Sequence, residues 1–135
     1  MNRRIFNKLG LSSLLLPIGI KANSLVGAKK LTNIFVHHVY FWLKNPESKD
    51  DLDKLVTGLN ELTKAKSIKS YHMGVPAGAS RDVIDGSYAI SWLTIFANAE
   101  DEQKYQVDPI HLEFIDKCKH LWSKVVVYDS VDKPQ

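Results

Sequence analysis

Cys118 is the only cysteine in this chain of 135 residues, so no disulfide can form within it, even in an oxidising compartment. Long hydrophobic runs are missing too. The stretch Gly10–Ile20 is apolar but is broken by Ser12, Ser13, Pro17 and Gly19, and it is too short and too mild to cross a bilayer comfortably. No HxH or HExxH pattern sets a metal-ligand geometry. His37, His38, His72 and Asp108 are scattered, and neither a metal nor an organic cofactor is expected. There is no internal repeat and no low-complexity linker. The length allows one domain, and 44% hydrophobic with 24% charged residues is ordinary for a globular one.

Acidic residues are absent from the first 28 positions, which hold Arg3, Arg4, Lys8 and Lys21. This segment has the parts of an export signal. It has a basic start with paired arginines, then the apolar run, then Val26-Gly27-Ala28 at the offsets for cleavage after Ala28. Arg3-Arg4-Ile5-Phe6-Asn7-Lys8 resembles the twin-arginine motif, and Lys21 after the run suits that pathway. Residues 1–28 therefore read as a signal peptide and 29–135 as the mature domain. That domain would be periplasmic or exported, and free of the membrane once the signal is removed. An uncleaved N-terminal anchor is the alternative. A twin-arginine substrate crosses the membrane folded, which agrees with the lone cysteine. Without the segment's four positive charges the chain's +3 becomes −1, so no basic stripe is left to favour a nucleic-acid partner.

What is present is a set of clear periodicities. Asn33–Lys44 alternates as a strand, with Phe35, His37, Val39, Phe41 and Leu43 on one face. Ile34, Val36, His38, Tyr40, Trp42 and Lys44 form the other. Both faces are largely apolar, which demands cover on both sides. One helical layer covers one of them, so the second is expected to meet another copy of the chain, with Tyr40 and Trp42 at that interface. Ser48 followed by Asp51 resembles a capping box, and Leu52, Leu55, Val56, Leu59 and Leu62 then follow helical spacing over about 49–64. Ser67–Val75 and Ser87–Ala97 read as strands around a Gly/Ala/Ser-rich loop. The loop's Arg81, Asp82 and Asp85 could salt-bridge to one another or meet a ligand, and the structural role is favoured because loop charges are commonly solvated. Asn98 should cap a short helix over 99–107, a second helix should run from Pro109 to about Leu121, and Lys124–Val131 should be the last strand. His72 and His120 read as partly exposed structural residues. The order β-α-β-β-α-β, with the second helix broken, is the ferredoxin-like α+β plan: an antiparallel sheet with helices on one face.

The break itself, Tyr105-Gln106-Val107-Asp108-Pro109-Ile110-His111, carries the chemistry. Asp108 suits an N-cap and Pro109 the first helical position. His111 falls in the first turn, where the helix dipole disfavours an imidazolium, so a neutral, proton-accepting histidine fits there. Tyr105 supplies a phenol that donates and accepts. In one pocket the pair could do acid–base work; residue types and spacing alone favour two amphipathic side chains filling a core.

Four stretches together resemble the stress-responsive A/B barrel (Dabb) domain. They are His37-His38-Val39-Tyr40-Phe41-Trp42-Leu43-Lys44, Arg81–Tyr88, Tyr105–His111 and Val125-Val126-Val127-Tyr128-Asp129, and the likeness covers about residues 34–131. It implies ferredoxin-like chains paired sheet to sheet as a dimeric α+β barrel. One plant branch, similar to olivetolic acid cyclase, uses the motif's tyrosine and histidine for an intramolecular aldol condensation in an apolar cavity. The resemblance carries these roles onto Tyr105 and His111, and a cavity histidine of the first strand onto His37. His38, one register step away, would face the other side. Asp108 departs from the plant pattern, which has a histidine before the proline, and the loop Pro76–Gly86 is longer.

Three functions follow as expectations. The first is an enzyme without an organic cofactor, cyclase- or lyase-like, with His111 as base, Tyr105 holding a carbonyl oxygen, and His37 orienting the substrate or shuttling a proton. Val39, Phe41, Leu43 and Trp122 would line its pocket. The second is a protein that binds a small apolar ligand unchanged. The third is a non-catalytic stress-response or structural homodimer.

Overall fold

The computed structural model describes residues 27–134. The expected export signal lies outside them except for its last two positions. Seven elements follow in order: β1 (Phe35–Leu43), α1 (Lys49–Leu62), β2 (Ser70–Gly74), β3 (Ile90–Phe96), α2 (Ala99–Gln106), α3 (Pro109–Cys118) and β4 (Trp122–Val131). They form one four-stranded sheet in the order β2-β3-β1-β4, every neighbouring pair antiparallel. This is the expected ferredoxin-like α+β arrangement. β3 slots between β1 and β2, and β4 returns to the far edge.

Alternation along β1 decides which side becomes the core. His37, Val39, Phe41 and Leu43 are buried, while the residues between them are only half-covered. Ile90, Trp92, Thr94 and Phe96 of β3 share that buried side, and Leu55, Leu59 and Leu62 of α1 with Phe114 and Cys118 of α3 close over it. The other side of the sheet leaves Tyr40, Trp42, Tyr88 and Tyr128 as an aromatic group, Tyr40 lying 4.9 Å from Tyr88 and 6.2 Å from Tyr128 between ring centroids. Among the described residues no helix is long and apolar enough to cross a membrane.

The caps follow local chemistry. Ser48 accepts from the Asp51 amide, Asn98 from the Asp101 amide, and Asp108 from the Ile110 amide with Pro109 opening the helix. The capping box at α1 is only half made. Asp51, one methylene shorter than the usual glutamate, accepts from the Asn45 side chain at 2.9 Å instead of reaching back to the cap. The strands on either side of the Gly-rich loop are shorter than the apolar patterns predict, and α3 ends at Cys118, so β4 begins two residues earlier, at Trp122. Arg81, Asp82 and Asp85 form no salt bridge with one another among the described residues. Asp85 instead accepts from the Ser87 amide and hydroxyl at 2.9 and 2.6 Å. His72 and His120 are exposed, without a role in the core.

Gly58 sets how closely α1 approaches α3. A Cβ there would sit 2.5 Å from Cys118 Sγ and 3.0 Å from Phe114 Cδ2. Alanine usually gains about 1 kcal/mol over glycine inside a helix. Overpacking a core typically costs about 1–3 kcal/mol. Gly58→Ala is therefore expected to lower stability in the native background, and to be neutral or stabilising beside Cys118→Ala, where the sulfur is gone. Urea unfolding of the four proteins of this double-mutant cycle measures the coupling.

Candidate functional site

Between the sheet and the helices lies a cavity of about 180 Å³, lined by His37, Val39, Phe41, Trp92, Tyr105, His111 and Trp122 among others. Its size is close to that of a cavity of roughly 150 Å³ that holds benzene in another protein. Most of the lining is apolar, and Lys and Arg are not part of it. Leu43, expected in the pocket, is buried in the core but does not line the cavity. It lies at the end of β1, where the pairing with β4 shifts register next to Trp122.

Three short-range devices bring the polar groups here. Alternation along β1 turns His37 inward, to 6% exposure, and His38 outward, where it meets Ser91 Oγ at 2.7 Å. The last turn of α2 buries Tyr105. The Asp108-Pro109 start of α3 swings His111 back beside it, with ring centroids 4.6 Å apart. His37 lies 6.1 Å from Tyr105, edge to face. All three predicted chemical residues thus share one cavity.

Hydrogen bonds settle which ring nitrogens are free. His111 Nδ1 lies 3.2 Å from the Gln106 carbonyl, which can only accept, so Nδ1 carries the proton and Nε2 keeps its lone pair. His37 Nδ1 donates to Asp129 Oδ1 at 2.7 Å, which orients the ring in the same way. Burial lowers the His111 pKa below the ordinary histidine value, with His37 adding to the effect and the Gln106 carbonyl opposing it. Burial thus favours the neutral form of this histidine, as expected. Burial also pushes the Tyr105 phenol well above its usual value. Glu102 and Asp108 add to that rise, and the Trp92 indole opposes it. Tyr105 is therefore a donor at neutral pH.

Asp129, Glu102 and Trp92 were not singled out from the sequence as site residues. Asp129 reaches His37 only because β1 and β4 pair with those two residues opposite each other. Glu102 Oε1 stands 3.9 Å from His37 Nδ1 and accepts from Gln106 Nε2 at 2.6 Å. His37, Glu102 and Asp129 place one ligand atom each within 4.8 Å of the others, an imidazole and two carboxylates that could take a divalent cation. The same carboxylates also serve as hydrogen-bond partners, Asp129 accepting from His37 and Glu102 from Gln106. An aspartate among many acidic residues carries no sequence signal of this role. The alternation of β3 does place Trp92 on the cavity side.

Comparison with known proteins gives the fold independent support. The model of the Stress Responsive A/B Barrel Domain, Dabb, matches residues 35–132. No curated protein matches the sequence significantly. Among solved structures the chain is similar to a hydroxynitrile lyase from Passiflora edulis, with 21% identity and a TM-score of 0.65 over 78% of this chain and 98% of that one. It is similar to a Dabb family protein with a ferredoxin-like fold from Mesorhizobium loti, with 19% identity and a TM-score of 0.63 over 75% of this chain and 98% of that one. A dimeric ferredoxin-like protein from Thermobifida fusca shares 18% identity with a TM-score of 0.62, over 74% of this chain and 92% of that one. At these identities the likeness is one of fold.

Proposed function

This chain belongs to the stress-responsive A/B barrel (Dabb) family, and on that premise we propose that it binds a small apolar molecule between sheet and helices and performs cofactor-free acid–base chemistry on it, in the manner of a lyase or cyclase. The observation that carries this is the convergence of a neutral His111, a protonated Tyr105 and an Asp129-oriented His37 on one apolar cavity. His111 Nε2 takes a proton from the ligand. Tyr105 donates to the oxygen on which negative charge develops, and His37 orients the ligand or returns the proton. The apolar walls limit competing water.

Dimerisation through the outer face of the sheet completes this proposal. The aromatic group Tyr40, Trp42, Tyr88 and Tyr128 supports it, as does the dimeric state of the Thermobifida relative. The twin-arginine-like start supports delivery to the periplasm.

Native mass spectrometry of the mature protein, purified from the periplasmic fraction of its own host, tests the assembly and the cavity together. The expected result is a dimer carrying a small apolar molecule. A monomer would remove the paired sheets, and an empty dimer that also fails to take up benzaldehyde would leave a structural dimer instead.

A further inference from the structure

Three elements bring metal-ligating atoms together beside the cavity. His37 comes from β1, Glu102 from α2 and Asp129 from β4. The arrangement is held in place from outside. β1 and β4 pair with His37 opposite Asp129, and Gln106 Nε2 donates to Glu102 Oε1 at 2.6 Å from the next turn of α2. The His37 side chain is 7% exposed, and its Nδ1 lies 2.7 Å from Asp129 Oδ1 and 3.9 Å from Glu102 Oε1. A neutral imidazole has one N–H to give, and Asp129 takes it. Glu102, largely buried at 12% side-chain exposure, is left beside a second carboxylate. Among the described residues neither carboxylate pairs with Lys or Arg. Two negative charges so placed repel each other and lose hydration. A divalent cation offsets both effects.

We propose that His37 Nδ1, Glu102 and Asp129 form a site for a divalent transition-metal ion, with Zn²⁺ the best match. The donor set selects the class. Imidazole nitrogen suits zinc and its neighbours, whereas magnesium and calcium favour oxygen alone. Three protein ligands leave a coordination position open. Asp129, with its side chain 45% exposed, gives the ion a way in from solvent. Loading also changes His37. The cation takes the Nδ1 lone pair, the proton held there passes to Nε2, and the ring stays neutral. Nε2 thereby turns from an acceptor into a donor. The ion thus decides which kind of group this ring, part of the cavity lining, can offer. The site stands on its own ligands and does not depend on the ligand-binding reading above.

Zinc is titrated by calorimetry into the full mature protein after treatment with a chelator, and magnesium serves as the contrast. The native protein should bind a single zinc tightly and magnesium far more weakly. Glu102→Gln, which keeps the shape and removes the charge, should weaken zinc roughly a hundredfold, since loss of an outer-shell partner alone typically costs about 10–100-fold. Asp129→Asn should do the same, and its half-exposed position keeps the test open if Glu102→Gln fails to fold. In ¹H–¹⁵N spectra of the imidazoles, the His37 proton should pass from Nδ1 to Nε2 on adding zinc. Equal zinc affinity in the native protein and both variants would assign the binding to exposed histidines such as His72 and His120 and overturn the site. Magnesium bound as well as zinc, or no tight zinc in the native protein, would overturn it too. None of these results bears on benzaldehyde uptake, which tests the cavity separately.

Discussion

A His111→Ala variant should cleave the hydroxynitrile of benzaldehyde roughly a hundred- to ten-thousandfold more slowly than the native protein, the range typical for loss of a positioned general base. This probe tests the proposed chemistry in its simplest form. His111 Nε2 takes the hydroxyl proton, the carbon–cyanide bond breaks with its electron pair leaving on cyanide, the imidazolium returns the proton to cyanide, and benzaldehyde and hydrogen cyanide leave. Release of benzaldehyde is followed by absorbance. The fold should survive, because His111 is only half-buried and its cap, Asp108, is untouched. Native-like unfolding with lost turnover marks the histidine as chemical, whereas loss of folding marks it as packing.

The pH profile of the same reaction carries a sign. The base must be neutral, and burial holds the His111 pKa below its ordinary value of 6.5. Activity should therefore persist below the usual histidine range and fall only as pH drops through the depressed pKa. Stability moves in the same direction. The unfolded chain binds protons at these histidines more readily than the folded one, so stability is full above about pH 6.5 and is lost as pH falls through the folded-state pKa. His38, lowered by burial and by His72 and His37, adds to this trend. Thermal unfolding between pH 7 and 5 should show a declining midpoint, with a shallower decline in His111→Ala. An unchanged slope would mean that His111 is not linked to folding.

Replacing Phe96 by alanine should lower the unfolding free energy by about 3–5 kcal/mol, out of a total of about 5–15 kcal/mol for a domain of this kind. Phe96 is 0% exposed, and its ring lies 5.3 Å from that of Tyr105 and 6.5 Å from His37. The loss combines transfer of the ring to water with a void too near the site to be refilled by the sheet backbone. Phe96→Leu should cost much less, since most of the volume remains. Both are measured by urea denaturation, and a shift of midpoint with constant slope would confirm a two-state loss. Phe96→Ala should also weaken benzaldehyde binding, because Tyr105 loses one wall that holds it. A variant with near-native stability would show that the neighbouring side chains collapse into the gap.

Local chemistry is what the sequence by itself determined here. The alternation of β1 separates His37 from His38, because one residue of register swaps faces of a strand. The Asp108-Pro109 pair opens α3 because an aspartate cap and a proline without an N–H both suit a helix start. These signals act within a few residues, so they are legible along the chain, and they placed Tyr105 and His111 on either side of the break. Element ends were less legible. The apolar patterns of β2 and β3 run on past the last paired residue, because periodicity does not report where a neighbouring strand stops. Only the tertiary structure decided the partners across long separations. Asp129 supports His37 through a pairing of residues 92 positions apart, and Leu43, buried at the end of β1, falls outside the cavity. The burial of His111 and the unpartnered indole of Trp92 arise in the same way. Burial and hydrogen-bond vacancy are properties of what surrounds a side chain, and that is assembled only when the sheet and helices close.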